Sequence, residues 1–288
     1  MTTSAPKPPP ASKSGKPGEY VLGTDMTETV RLGLQHRLWA EAAHRLWERV
    51  GVMPGARVLD VGCGPGHAAL DMAEIVGPTG QVVGVDESAV FLKQFNDEAK
   101  ARRVNNVQRV LGDVHELGTL LAEQRSHFDV AYARWVFCFV KDPSTVLAGI
   151  AAALRPGGRL AIQDYFSYEA MTLAPRHEAF TRVIRAIGAS WRARGGDPDI
   201  AAHLPALGRA HGLEIEHLAV NPRVARPGTP MWHWPDSFWK SFVPRLVEGG
   251  HLSEQERREF EGTWASASKN PDVFMMLPPV FDLVLVKR

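Results

Sequence analysis

The chain has 288 residues, 44% of them hydrophobic and 23% charged, so it can bury a full core as one elaborated domain or as two small ones. Lys+Arg 33 against Asp+Glu 32 gives a formal net charge of +1, which excludes an overall basic field that would gather nucleic acid or an anionic membrane. The two cysteines, Cys63 and Cys138, form no C-x-x-C pair and support neither a disulfide scaffold nor a cysteine zinc site, and no apolar run reaches the roughly 18 residues that cross a bilayer.

Residues 1–19, MTTSAPKPPPASKSGKPGE, hold five prolines and three lysines and almost nothing apolar. Burial cannot offset the entropy of ordering such a segment, which predicts a disordered tail. It has no apolar leader pattern, and the chain is expected in the cytoplasm. Residues 20–56 read as a helical lead-in. Val30, Leu34, Leu38, Ala42, Leu46 and Val50 recur every four residues, with Trp39 and Trp47 widening the stripe, and Gly51 and Pro54-Gly55 end the helix.

From residue 57 to the end, strand patterns alternate with helical ones. Strand-like runs are Arg57 to Val61, Gln81 to Val85, Val107 to Leu111, Phe128 to Ala133 and Arg159 to Asp164. This rhythm implies parallel strands with right-handed crossovers, hence an α/β, doubly wound, mostly parallel sheet whose ligands lie beyond the carboxyl ends of its strands. The regularity then loosens in two insertions, at about 167–212 and 221–280. The first holds a helix from about His177 to Arg194 and a second one after Asp199. The second holds the aromatic stretch PMWHWPDSFW and a helix with a Ser253/Glu256 capping box. Phe281 to Val286 reads as a closing strand.

The first strand runs into VLDVGCGPGH, with Gly62, Gly64 and Gly66 at alternate positions and Cys63 fitted between them. A pyrophosphate loop wants G-x-G-x-x-G, and His67 stands where its third glycine belongs. Asp60, two residues ahead, would repel a pyrophosphate at the helix N-terminus and attract a cationic group. Asp86 ends the second strand, where a carboxylate can accept from both hydroxyls of a ribose. Asp113 ends the third, placed to accept from an adenine amino group while the Val114 amide faces a ring nitrogen. Taken singly, each acid also reads as a loop cap. In series they point to an adenosine compound that carries positive charge and no phosphate.

These stretches resemble the class I S-adenosylmethionine-dependent methyltransferases, in particular the small-molecule group of ubiquinone/menaquinone-type and natural-product enzymes. VLDVGCGPGH looks like the family's first motif, VVGVDES its ribose-binding acid with Glu87 beside it, and LGDV its adenine contact. FDVAYARWVF looks like the fourth-strand motif and LRPGGRLAIQDY the turn into the fifth strand. The likeness covers about 110 residues, from Arg57 to Phe166. It implies S-adenosyl-L-methionine as cofactor, a Rossmann-like seven-stranded sheet with its seventh strand antiparallel, and Arg134 with its backbone near the cofactor. A weaker likeness of the lead-in implies contacts from Tyr20 and Gln35 to the methionine end.

The resemblance implies methyl transfer to an O, N, S or C nucleophile of a small molecule. ARWVF lacks the Asn/Asp-Pro-Pro-aromatic run of the family's nucleic-acid and glutamine enzymes, and Cys138 lacks the preceding proline of cytosine-5 enzymes. The acceptor is expected among Asp164 and Tyr165, as base or orienting groups, and the aromatic residues from Pro230 to Trp239, which would suit a flat apolar molecule or simply pack the insertion; His233 is the candidate histidine there. No metal spacing stands out. The expected partner is a small-molecule acceptor, with neither nucleic acid nor membrane, and a homodimer is left open. Three other readings are an NAD-dependent oxidoreductase, opposed by Asp60 and His67, a non-catalytic cofactor-binding protein, and a different chemistry on the same cofactor.

Overall fold

A computed structural model describes residues 26–288. The lead-in helix forms as α1 (Met26–Val50), with Trp39, Ala42, Ala43, Leu46, Trp47 and Val50 buried. Val30 departs from the expected stripe and is 64% exposed. At 3.6 residues per turn, a four-residue repeat drifts by about 40° per step, so over five steps Val30 comes to lie nearly opposite Val50.

The alternation that follows is β1 (Arg57–Val61), α2 (His67–Val76), β2 (Gln81–Asp86), α3 (Ala89–Arg102), β3 (Val107–Leu111), α4 (Leu117–Leu120), β4 (Phe128–Arg134), α5 (Pro143–Ala153) and β5 (Leu154–Tyr165). Polar side chains start the helices that matter for loop direction: Ser88 caps α3 by accepting from the Phe91 amide, and Asp142 caps α5 with Pro143 in its first turn. Then come β6 (Thr172–Ala174), α6 (Glu178–Ala193), α7 (Leu204–Ala210), β7 (Leu213–Asn221), β8 (Val224–Ala225), α8 (Pro230–Glu248), α9 (Glu254–Ala267), β9 (Phe274–Met276) and β10 (Val280–Lys287).

Seven strands form one sheet in the order β3-β2-β1-β4-β5-β10-β7. The first five are parallel, and β10 runs antiparallel to both β5 and β7. Alternate residues of the central strands serve two apolar layers: Val58, Val82 and Val130 meet α1, α2 and α3, while Leu59, Val83 and Ala131 face the layer that holds α4 and α5. Strand order reverses between β1 and β4, which opens a crevice at their carboxyl ends.

A second, three-stranded sheet, β6-β9-β8, ties the two insertions together. The stretch expected to be irregular instead contains the 19-residue α8, with Pro235 and Pro244 inside it. The capping box of Ser253 and Glu256 starts α9 as expected. Trp232 stacks on Trp264 at 4.3 Å and 5°, and Trp239 meets Phe260 edge-on, so part of the aromatic stretch forms the core of this cover.

Candidate functional site

The β1–α2 loop folds into the crevice with Gly62, Gly64 and Gly66 all at positive φ. A Cβ on Gly66 would fall 2.3 Å from the Phe95 ring, whereas one on Gly64 would meet nothing within 4 Å. Gly66 is therefore required by packing, and Gly64 presents bare backbone to open space. The loop's amides are largely spent. Cys63 N–H donates to the Val85 carbonyl, Gly66 N–H to the Cys63 carbonyl, and Gly64 N–H to Asp86 at 2.8 Å. Asp60 accepts from the Ala69 amide in the first turn of α2. A helix start already facing its own carboxylate is a poor seat for pyrophosphate.

Asp86 uses both carboxylate oxygens, one for Gly64 and the other for the Ser88 amide at 2.8 Å, and so fixes the β1–α2 loop against the β2–α3 loop. Burial pushes its carboxyl above the usual range. The exposed Glu87 follows it and shares the cavity wall, its carboxyl raised by partial burial and by Asp113 and Asp86. Asp113 accepts from both the backbone amide and the ring of His115 and, with Val114, lines the same wall.

Asp60 is 3% exposed, and its Oδ2 has no partner among the described residues. Burial raises its carboxyl to about 7, with Arg134 opposing that shift and Asp86 adding to it. Between about pH 4 and pH 7 the folded chain holds a proton that the unfolded chain releases, so this group lowers stability as pH rises and adds no further slope above about 7. Asp60→Asn removes that slope. Urea unfolding at pH 5 and pH 7 should show the variant gaining about 2 kcal/mol relative to the natural chain between the two; an equal difference at both pH values would contradict it.

Arg134 ends β4 beside Asp60. Its Nη2 donates to His36 Nδ1 at 2.9 Å, and its Nη1 is buried without a partner among the described residues. His36 Nε2 meets Asp71 at 2.8 Å. His67 stacks on His36 at 5.7 Å between ring centres, and burial with the neighbouring cations lowers its pKa to about 4.

Asp60, Gly64, Asp86, Asp113, Arg134 and His36 line one cavity of about 1610 Å³, larger than the roughly 300–1,000 Å³ of a typical small-ligand pocket. Beyond the glycine loop its wall turns aromatic, with Trp135, Tyr165, Tyr168, Trp191, Trp234 and Phe238. Trp135 holds a left-handed backbone, φ 53°, pinned by its amide bond to the Gln163 carbonyl; such a conformation in a bulky residue concentrates at functional sites. Gln35 borders the cavity and accepts from Trp234 Nε1 at 2.8 Å and from Arg31, which joins α1 to the α8 cover.

Two expected acceptor-side residues are not brought to this wall. Asp164 is fully buried, with its carboxylate accepting from the amides of Cys138 and Tyr165, so it orders the turn after β4 instead of facing the cavity. His233 is exposed on α8, one helical step from the inward-facing Trp232 and Trp234. Tyr20 lies outside the described residues. Cys63 touches the cavity, but burial beside Asp60 and Asp86 pushes its thiol up, so it stays protonated. Sequence spacing gave no sign of His36 or Asp71 and marked His67 only as the residue in place of a third glycine, since α1 and α2 meet only in the fold.

A doubly wound sheet with a glycine loop at its switch point and acids at or just past the ends of three neighbouring strands defines a Rossmann-like domain. Residues 53–190 match the family described as methyltransferase domain. That segment is just under half of the chain, and it carries the glycine loop and all three strand-end acids. The chain is 39% identical over 129 residues to a 2-phytyl-1,4-naphtoquinone methyltransferase of Synechococcus elongatus, covering 42% of this chain and 53% of that one. It is 38% identical over 120 residues to the nocamycin O-methyltransferase of Saccharothrix syringae, covering 42% and 41%. The chain thus spans about half the length, or less, of these curated relatives. The YcgJ protein of Bacillus subtilis aligns with a TM-score of 0.58 over 86% of this chain and 99% of its own, at 16% identity, a likeness of fold alone. Among the described residues no helix is long and apolar enough to cross a membrane.

Proposed function

We propose that the cavity binds S-adenosylmethionine and that the chain transfers its methyl group to an O, N, S or C nucleophile of a small aromatic or apolar acceptor. One observation carries this reading: Asp60 Oδ2, a carboxyl oxygen, and Arg134 Nη1, a guanidinium nitrogen, are both buried without partners among the described residues, and both residues line the same cavity. A zwitterionic amino-acid group offers an ammonium to the first and a carboxylate to the second. A diphosphate offers nothing to Asp60.

In this reading Asp86, with Glu87 beside it, takes the ribose hydroxyls, and Asp113 with the Val114 amide takes the adenine. The loop of Gly62, Cys63, Gly64 and Gly66 lies beneath the ligand, and Gln35 borders its methionine end. The cofactor supplies a methyl group on a cationic sulfur, an intrinsically good leaving group. The chain's own task is to align an acceptor and exclude water, and such alignment can lower a barrier by about 7–11 kcal/mol. Burial holds the phenols of Tyr165 and Tyr168 well above their ordinary values, so at neutral pH both stay protonated and neither removes a proton. We assign Tyr165 to orienting the acceptor, and residues 167–212 and 221–280 to covering it. Cys63 and Cys138 are free and buried, which suits a reducing compartment, and we place the protein in the cytoplasm.

Calorimetric titration with S-adenosylhomocysteine and, separately, with a nicotinamide dinucleotide tests the cofactor: heat of complex formation is expected with the first alone, and the reverse pattern would sink the reading. Incubation of the chain with isotopically labelled S-adenosylmethionine and a metabolite extract should then place label in a small molecule.

A further inference from the structure

His36 lies on α1, far in sequence from both partners it joins. Its Nδ1 faces Arg134 Nη2 at 2.9 Å and its Nε2 faces Asp71 Oδ2 at 2.8 Å. A guanidinium only donates, so Nδ1 must accept, which puts the single ring proton on Nε2, donated to Asp71. Burial favours this neutral ring and lowers its pKa. The groups around it are consistent with that state: His67 of α2 stacks on the ring, His44 of α1 approaches Asp71 at 3.8 Å, and Arg102 of α3 reaches the other Asp71 oxygen at 3.6 Å. Asp71 is therefore anchored by three residues from two elements, α1 and α3, and through His36 it fixes one end of the Arg134 guanidinium. The Trp135 ring lies 5.2 Å from the centre of that guanidinium and restricts it further.

Resting on the cofactor reading above, we propose that His36 and Asp71 are positioning residues that hold Arg134 with Nη1 directed at the carboxylate of the cofactor's amino-acid end. The lead-in helix thereby becomes part of the cofactor site through a neutral histidine. Its contribution is specific to one ligand group. Without His36, Nη2 would lose its acceptor and the guanidinium would be free to turn, while the ribose and adenine positions on β2 and β3 would be untouched.

The test compares S-adenosylhomocysteine with S-adenosyl-3-thiopropylamine, which lacks only the carboxylate, by calorimetry on the full chain. His36→Ala and Asp71→Ala should weaken S-adenosylhomocysteine by about tenfold or more, the scale of one charge-assisted hydrogen bond, and leave the decarboxylated ligand within about twofold. His36→Asn, whose side-chain oxygen can stand in for Nδ1, should recover most of the loss. Parallel losses for both ligands, as from a displaced helix, would overturn the proposal, as would no loss for either. Failure of the natural chain to bind either ligand would overturn the cofactor reading and this inference with it.

Discussion

Asp86→Ala is expected to weaken S-adenosylhomocysteine binding by about 100-fold or more. In the proposed binding mode two ribose hydroxyls donate to this carboxylate, two charge-assisted bonds of about 1.5–3 kcal/mol each, and each 1.4 kcal/mol is a factor of ten. Asp86 is only 9% exposed, so water replaces little of what is lost. The same substitution deprives the Gly64 and Ser88 amides of their acceptor, releasing the glycine loop from the β2–α3 turn. Asp86→Asn is no rescue. With both oxygens facing N–H donors, an amide would set its own NH₂ against one of them, and a loss of at least tenfold is expected there too. Calorimetry gives the affinities, and urea unfolding without ligand gives the cost to the loop. An alanine variant that binds within about threefold of the natural chain would remove Asp86 from the site.

What the sequence revealed of this site lies at strand ends. Asp60, Asp86 and Asp113 were legible because a run of β-branched residues fixes where a strand stops, and in a parallel sheet every such stop falls on the same edge. The acceptor side was harder to read for the converse reason. α8 buries Trp232, Trp234, Trp239, Phe242, Val243 and Leu246, a helical pattern, but Pro235 and Pro244 inside it obscure that pattern in the sequence, and without a helix phase His233 has no assigned face. Asp164 misled through its position: a strand-end acid can also turn back to cap the neighbouring loop, and here two buried amides claim it. His36 and Asp71 were invisible because their role exists only where α1 crosses α2.

The seating of α1 over the crevice depends on Trp39. Its side chain is fully buried and meets Trp135 edge-on at 5.5 Å and Trp234 at 5.5 Å and 70°, so it locks α1, the end of β4 and α8 together directly above the crevice. Trp39→Ala should therefore cost about 3–5 kcal/mol in urea unfolding, the sum of lost apolar transfer and the cavity left where three rigid elements cannot close in. Trp39→Phe separates packing from polarity. Trp39 Nε1 is buried without a partner among the described residues, so phenylalanine gives up some area but also removes an unsatisfied donor worth about 1–3 kcal/mol, and the two effects nearly cancel. A phenylalanine variant as unstable as the alanine one would mean that the indole nitrogen has a partner after all. An alanine variant of ordinary stability would mean that α1 is not part of the core, and the positions of Gln35 and His36 over the cofactor crevice would then have no structural basis.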